Sequence, residues 1–162
     1  GNPSWRMLLF PILKSADNGL SFSIHLFTHR DAGANNSSLK GNGGNQLVSV
    51  IIPTCNHAPY IRKAVHSCLN QTHKTLEIIV VDVGWTDHRQ EVIQEFKDRM
   101  ICVYRDNGGV SAAKNVGLEL AEGDFIPFLD ADDSWTEDSV EIRLEVLLQH
   151  VEIGFVTGKT CS

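Results

Sequence analysis

Four short apolar runs in this chain are each followed at once by a polar or acidic residue, and between them apolar residues recur at helical spacing. The runs are VSVIIP (Val48 to Pro53), LEIIVVD (Leu76 to Asp82), Ile101 to Tyr104, and the apolar part of GDFIPFLDADDSW (Gly123 to Trp135). All four read as strands, and LEIIVVD and the Phe125–Leu129 run are too apolar for a sheet with one wet face, which suits a parallel sheet covered on both sides. The helical stripes are Ile61, Ala64, Val65, Cys68 and Leu69; then Val92, Ile93, Phe96 and Met100; then Ala113, Val116 and Leu120; then, in a helix from about Thr136, Val140, Leu144, Leu147 and Val151. Pro59 suits a first helical turn, and Asp87 with Gln90 resembles a capping pair for the second helix. Ile153 to Val156 is a candidate fifth strand. This alternation predicts an α/β fold, a doubly wound, mostly parallel, Rossmann-like sheet with right-handed crossovers. No segment of 20–50 residues repeats, which excludes a solenoid.

In such sheets ligands bind outside the carboxyl ends of the strands. Thr54 to His57, Asp82, Asn107 to Gly109 and Asp130 to Asp133 all fall on that edge. If the chain stays extended after Leu129, the two-residue period sets Asp130 and Asp132 on one side and Ala131 on the other. Two carboxylates facing one space repel unless a cation lies between them, and hard oxygen donors suit magnesium or manganese. Taken alone, the same residues also fit a solvated acidic turn capping the next helix. Ser111, Lys114 and Asn115 lie near the amino end of the third helix, where backbone N–H groups and the dipole favour an anion.

The net charge of −6 argues against a nucleic-acid partner, which would demand Lys and Arg for its phosphates. No apolar run approaches the ~18 residues of a membrane span. Cys55, Cys68, Cys102 and Cys161 form no CxxC pair, and the pattern suits a reduced, cytoplasmic chain. Residues 1–46 read as a leader or linker: from Asp31 to Gln46 the chain is almost wholly Gly, Asn, Ser and Ala, which cannot bury enough to offset ordering entropy. The remaining 47–162 is taken as one domain.

VSVIIPTCNH, LEIIVVDVGWTD, NGGVSAAKNVG and GDFIPFLDADDSW, in that order and spacing, resemble the amino-terminal, donor-binding half of the family-2 glycosyltransferases, which have the GT-A fold. The resemblance runs from about Leu47 to Val156. It implies a nucleotide-diphosphate sugar donor, a UDP-sugar first, with a Mn2+ or Mg2+ ion on the diphosphate and inverting transfer to an acceptor hydroxyl. By position, Asp130 and Asp132 match the D-x-D pair, with Asp132 the nearer to a direct metal ligand. Pro53, Thr54, Asn56 and Asp82 fall in segments that hold the nucleoside, and Lys114 and Asn115 in the segment near phosphates and ribose.

The chain departs from the family pattern at Cys55, where a stacking Tyr is usual, at Val83, where a second Asp is usual, at Trp85 and at Pro127. Proline lacks the donor that an inner strand needs. The resemblance also implies that the acceptor-side contacts and the catalytic base lie beyond the residues present, so a carboxyl-truncated domain is expected and no base is assigned. Asp138 and Glu141 are explained as first-turn charges on a helix dipole. Two rivals stand beside the transferase: a catalytically inactive nucleotide- or glycan-binding module of the same fold, favoured by Val83 and Cys55, and a nucleotidylyltransferase, for which no motif asks.

Overall fold

The computed structural model describes residues 27–29, 46–55, 58–84, 89–105, 108–150 and 155–156. Ten elements follow one another: β1 (Phe27–His29), β2 (Val48–Thr54), α1 (Ala58–Leu69), β3 (Leu76–Asp82), α2 (Arg89–Phe96), β4 (Ile101–Tyr104), α3 (Gly109–Leu120), β5 (Phe125–Pro127), α4 (Ser139–Gln149) and β6 (Phe155–Val156). The sheet order is β4-β3-β2-β5-β1-β6. Strands β2 to β5 are mutually parallel, and β1 runs antiparallel to both β5 and β6. The doubly wound, mostly parallel sheet expected from the sequence is therefore present.

The β2–β3 pair is the spine. Seven residue pairs stay in register from Val48↔Leu76 to Thr54↔Asp82. Every residue of β2 is buried, because the strand has helices on both faces. Val48, Val50 and Ile52 face a core built with Ile61, Val65 and Cys68 of α1, Phe96 of α2 and Leu144 of α4. Ile51, with Ile79 and Val81 of β3, faces the opposite core against Ala113 and Leu118 of α3. The strand period of two thus divides a continuous apolar run between two cores.

Three details differ from the sequence expectation. Leu120 belongs to no buried stripe; it is exposed, and the inner face of α3 is Ala113, Gly117 and Leu118. The cause is Gly117, which lets the helix approach so closely that a Cβ there would lie 2.4 Å from Cγ2 of the fully buried Ile51. Phe27–His29, inside the stretch read as a leader, form a strand between β5 and β6; the rest of 1–45 lies outside the described residues, as do Asn56, His57, Trp85, Asp87, Asn107, Val151 and Cys161. The last helix starts at Ser139 rather than at Thr136, whose hydroxyl instead bonds Asp138 and Ser139 in a turn ahead of it.

Pro127 does sit in an inner strand, and the ladder shows the effect. Phe125 N–H donates to Leu47 O and Leu129 N–H to Ile51 O, while Pro127, midway between them, has no N–H to give. The β2–β5 pairing consequently reduces to Val48↔Phe125 and an isolated bridge, Ile51↔Phe128.

Two outcomes test this packing. Gly117→Ala gains about 1 kcal/mol of helix propensity but incurs about 1–3 kcal/mol of overpacking against Ile51, so urea denaturation is expected to show a net loss. Burial pushes the Cys68 thiol up to about 12. Its folded form stays neutral while the unfolded thiol ionises above about pH 9, so this group removes stability as pH rises from 9 toward 12, by ~1.4 kcal/mol per unit. Urea midpoints from pH 9 to 10.5 are expected to fall less steeply for Cys68→Ala than for the parent.

Candidate functional site

Three strand ends are stitched together at the carboxyl edge of the sheet. Thr54 and Asp82 are register partners at the last position of the β2–β3 ladder, and Asp82 pairs with Tyr104 of β4. Beyond them Val83 N–H donates to Thr54 O at 3.0 Å and Arg105 N–H to Asp82 O at 2.8 Å. The Asp82 carboxylate accepts from Gly84 N–H at 3.0 Å, an Asx-type bond that turns the chain out of β3. Asp82 is fully buried and Thr54 nearly so. The Thr54 Oγ1 hydroxyl has no hydrogen-bond partner among the described residues. A buried hydroxyl left unpaired costs about 1–3 kcal/mol, which a polar ligand at this edge would recover.

Pro53 is buried against β3 opposite Val81. Cys55 is exposed just past the strand end, and a Cβ on Gly84 would lie 3.3 Å from its Sγ, so the thiol lies beside the β3 turn. Val83 is buried at the same turn. Of the residues expected here, Asn56 lies outside the described set.

The acidic segment leaves the sheet one strand over. Leu129 N–H donates to Ile51 O, and then Asp133 N–H closes onto Asp130 O at 3.0 Å. The chain therefore turns over Asp130–Asp133, where the alternation argument assumed extension. Ala131 is buried, Asp130 is half-exposed and Asp132 exposed, so the methyl goes inward while both acidic residues keep contact with solvent. Lys114, from the second turn of α3, brings its Nζ to 3.9 Å from Asp130 Oδ1 and 5.4 Å from the centre of the Phe128 ring. Gly108 and Gly109 make the entry to α3, with Gly109 at φ 66°, a left-handed conformation that suits glycine. Asn115, one residue after Lys114, is half-buried. The structure thus brings Lys114 and Asp130 together and sets Thr54 beside Asp82.

Among the described residues no group of three or more His, Cys, Asp or Glu side chains could hold a metal ion. Two carboxylates on one turn fit a hard cation that takes its remaining ligands from water and from substrate phosphates, as magnesium commonly does. Sequence reasoning missed one neighbour of the turn, Arg143, whose guanidinium lies 5.8 Å from the ring centre of the buried Trp135. Arg143 itself donates to Ser139 O, and burial pushes its guanidinium below the usual range. A charge inside an otherwise apolar helix stripe is the one signal that pointed to it.

Comparison with known proteins places the chain. The family described as glycosyl transferase family 2 matches residues 49–159. An uncharacterised glycosyltransferase of Haemophilus influenzae is 40% identical over 108 residues, 64% of this chain and 43% of that protein. The putative teichuronic acid biosynthesis glycosyltransferase TuaG of Bacillus subtilis is 40% identical over 107 residues, 64% of this chain and 42% of its own. Among solved structures, S. aureus TarS 1-349 in complex with UDP-GlcNAc superposes with a TM-score of 0.58 at 27% identity, over 65% of this chain and 32% of that one. The mannosyltransferase PcManGT of Pyrobaculum calidifontis, in complex with GDP-Man and Mn2+, gives 0.59 at 27% identity, over 63% and 32%. The chain therefore spans less than half the length of these relatives. Over the matched residues it is a member of glycosyl transferase family 2 with the GT-A fold.

Proposed function

We propose that this chain binds a nucleotide-diphosphate sugar at the carboxyl edge of its sheet, through a divalent metal held by Asp130 and Asp132, as the donor half of an inverting sugar transfer to an acceptor hydroxyl. The observation that carries the reading is the meeting of Lys114 with Asp130 at 3.9 Å, on the same edge as the buried Thr54 and Asp82. A cation and a carboxylate pair at one rim suit a diphosphate and its metal together. Family membership and relatives solved with UDP-GlcNAc and with GDP-Man and Mn2+ support it.

In this reading Pro53, Thr54, Asn56 and Asp82 lie against the nucleoside, with the Thr54 hydroxyl gaining the partner it lacks among the described residues. Lys114 and Asn115 face the phosphates and ribose. The metal would supply positive charge where the departing nucleoside diphosphate develops its negative charge. Lys114 adds a second charge there without any proton transfer. Cytoplasmic location is part of the same proposal; among the described residues no helix is long and apolar enough to cross a membrane. A second reading, a binding module without transfer activity, draws on Val83, which is buried and has no side-chain acceptor to offer a base.

Calorimetric titration of UDP with and without Mn2+ tests the proposal. Binding strengthened by the metal, and a metal-dependent increment abolished in Asp132→Ala, is the expected result; absence of binding to the folded chain would sink it. Lys114→Met is expected to weaken UDP by on the order of tenfold or more while changing stability by less than ~1 kcal/mol, since its ion pair is partly exposed. Alkylation followed by mass spectrometry gives an independent check. The exposed Cys55 should label readily and become protected by UDP with Mn2+, whereas Cys68, buried and held neutral, should label only on unfolding.

A further inference from the structure

The turn that carries Asp130 and Asp132 must be held at both ends if its carboxylates are to meet a metal in a fixed geometry. Its upstream end is tied to the sheet by Leu129 N–H donating to Ile51 O. Its downstream end, Thr136, belongs to no strand and precedes α4. What holds it comes from 65 residues earlier in the chain. Gln71, just past the end of α1, is fully buried. Its Nε2 donates to Thr136 O at 2.7 Å and to Ser67 O at 2.9 Å, and its Oε1 accepts from Val140 N–H at 2.9 Å. Both amide hydrogens and the carbonyl are therefore engaged.

The choice of partners has a physical logic. The first N–H groups of a helix have no partner within it, and Asp138, at the amino end of α4, makes no side-chain capping bond. Gln71 supplies that cap from just beyond α1 while also gripping the residue that leaves the acidic turn. The next residue extends the clasp: Thr72 N–H donates to Glu137 O at 2.7 Å, and Thr72 Oγ1 to Glu141 Oε2 at 2.6 Å. A buried amide is costly unless every polar atom is paired, so a glutamine at this spot is kept by its three bonds and not by its packing. An apolar side chain would fill the same space and leave Thr136 and Val140 without it.

We propose that Gln71 is a positioning residue for the carboxylate turn: by clasping Thr136 and capping α4, it sets where Asp130 and Asp132 stand at the donor site. The inference rests on the donor-site reading above for its functional consequence, while the clasp itself can be tested without any ligand. Gln71→Met removes all three bonds at nearly constant volume. Gln71→Glu keeps an acceptor for Val140 N–H and, when ionised, has no donor for Thr136 O.

Two measurements on the full chain decide it. Amide hydrogen exchange in the free protein should quicken by tenfold or more over residues 131–140 in either folded variant, with β3 unchanged. Exchange there as slow as in the parent would overturn the clasp, whatever the chain binds. The second measurement is the ratio of UDP affinities with and without Mn2+. It should fall tenfold or more in both variants while metal-free UDP affinity stays within twofold, a split that general loss of stability does not produce. A parental ratio in a folded variant with quickened exchange would show that the clasp does not set the metal site. A parent protein whose UDP affinity does not respond to Mn2+ at all would instead overturn the donor-site reading, and with it the functional half of this inference.

Discussion

The parallel ladder between β2 and β3 is the constraint on which the other parts depend. Seven consecutive pairs bring Thr54 and Asp82 to the edge at the same level, and a ladder this regular requires both strands to be buried on both faces. That requirement calls for helices on each side: α1, α2 and α4 against Val50 and Ile52, and α3 against Ile51. Once α3 lies flat on Ile51 through Gly117, Lys114 is carried to the rim where β5 ends. The ion pair there is thus a consequence of strand burial, reached through one glycine.

Much of this was legible because strand and helix periods leave different marks. The runs at Val48, Leu76 and Ile101 stood out by their β-branched content, and Cys68 fell inside a helical stripe that the structure places in the core. Leu120 misled because a three-to-four spacing does not say how a helix is rotated; the tight approach at Gly117 turns that leucine outward. The Thr136 boundary misled for a related reason. The spacing of an apolar face does not mark where its helix begins, and the capping oxygen for α4 comes from Gln71, a long-range contact that no local pattern records.

The site divides in the same way. The place of Asp82, Asp130 and Asp132 at strand ends was readable, because each falls where an apolar run stops. The pairing of Lys114 with Asp130 was not, since it depends on the rotation of α3 over β2. Nor was the stacking of Arg143 near Trp135, which puts a charge into a helix face otherwise made of Val140, Leu144 and Leu147. Local chemistry is written in short stretches of chain; relative placement of helices is decided by close approaches between residues dozens of positions apart.

The proline in β5 gives the carboxylate turn a mechanical character of its own. On the β2 side Phe125 N–H donates to Leu47 O and Leu129 N–H to Ile51 O, and Pro127 between them has no N–H to give. On its other side β1 pairs with every residue of the strand, from Phe27↔Pro127 to His29↔Phe125, so β5 is held more completely by β1 than by β2. The last tie to β2, Leu129 N–H to Ile51 O, lies immediately before Asp130, so the level at which the turn leaves the sheet is fixed there. The two halves of the rim are thus anchored differently: Thr54 and Asp82 close an unbroken seven-pair ladder, while the carboxylate turn follows a pairing interrupted by a proline.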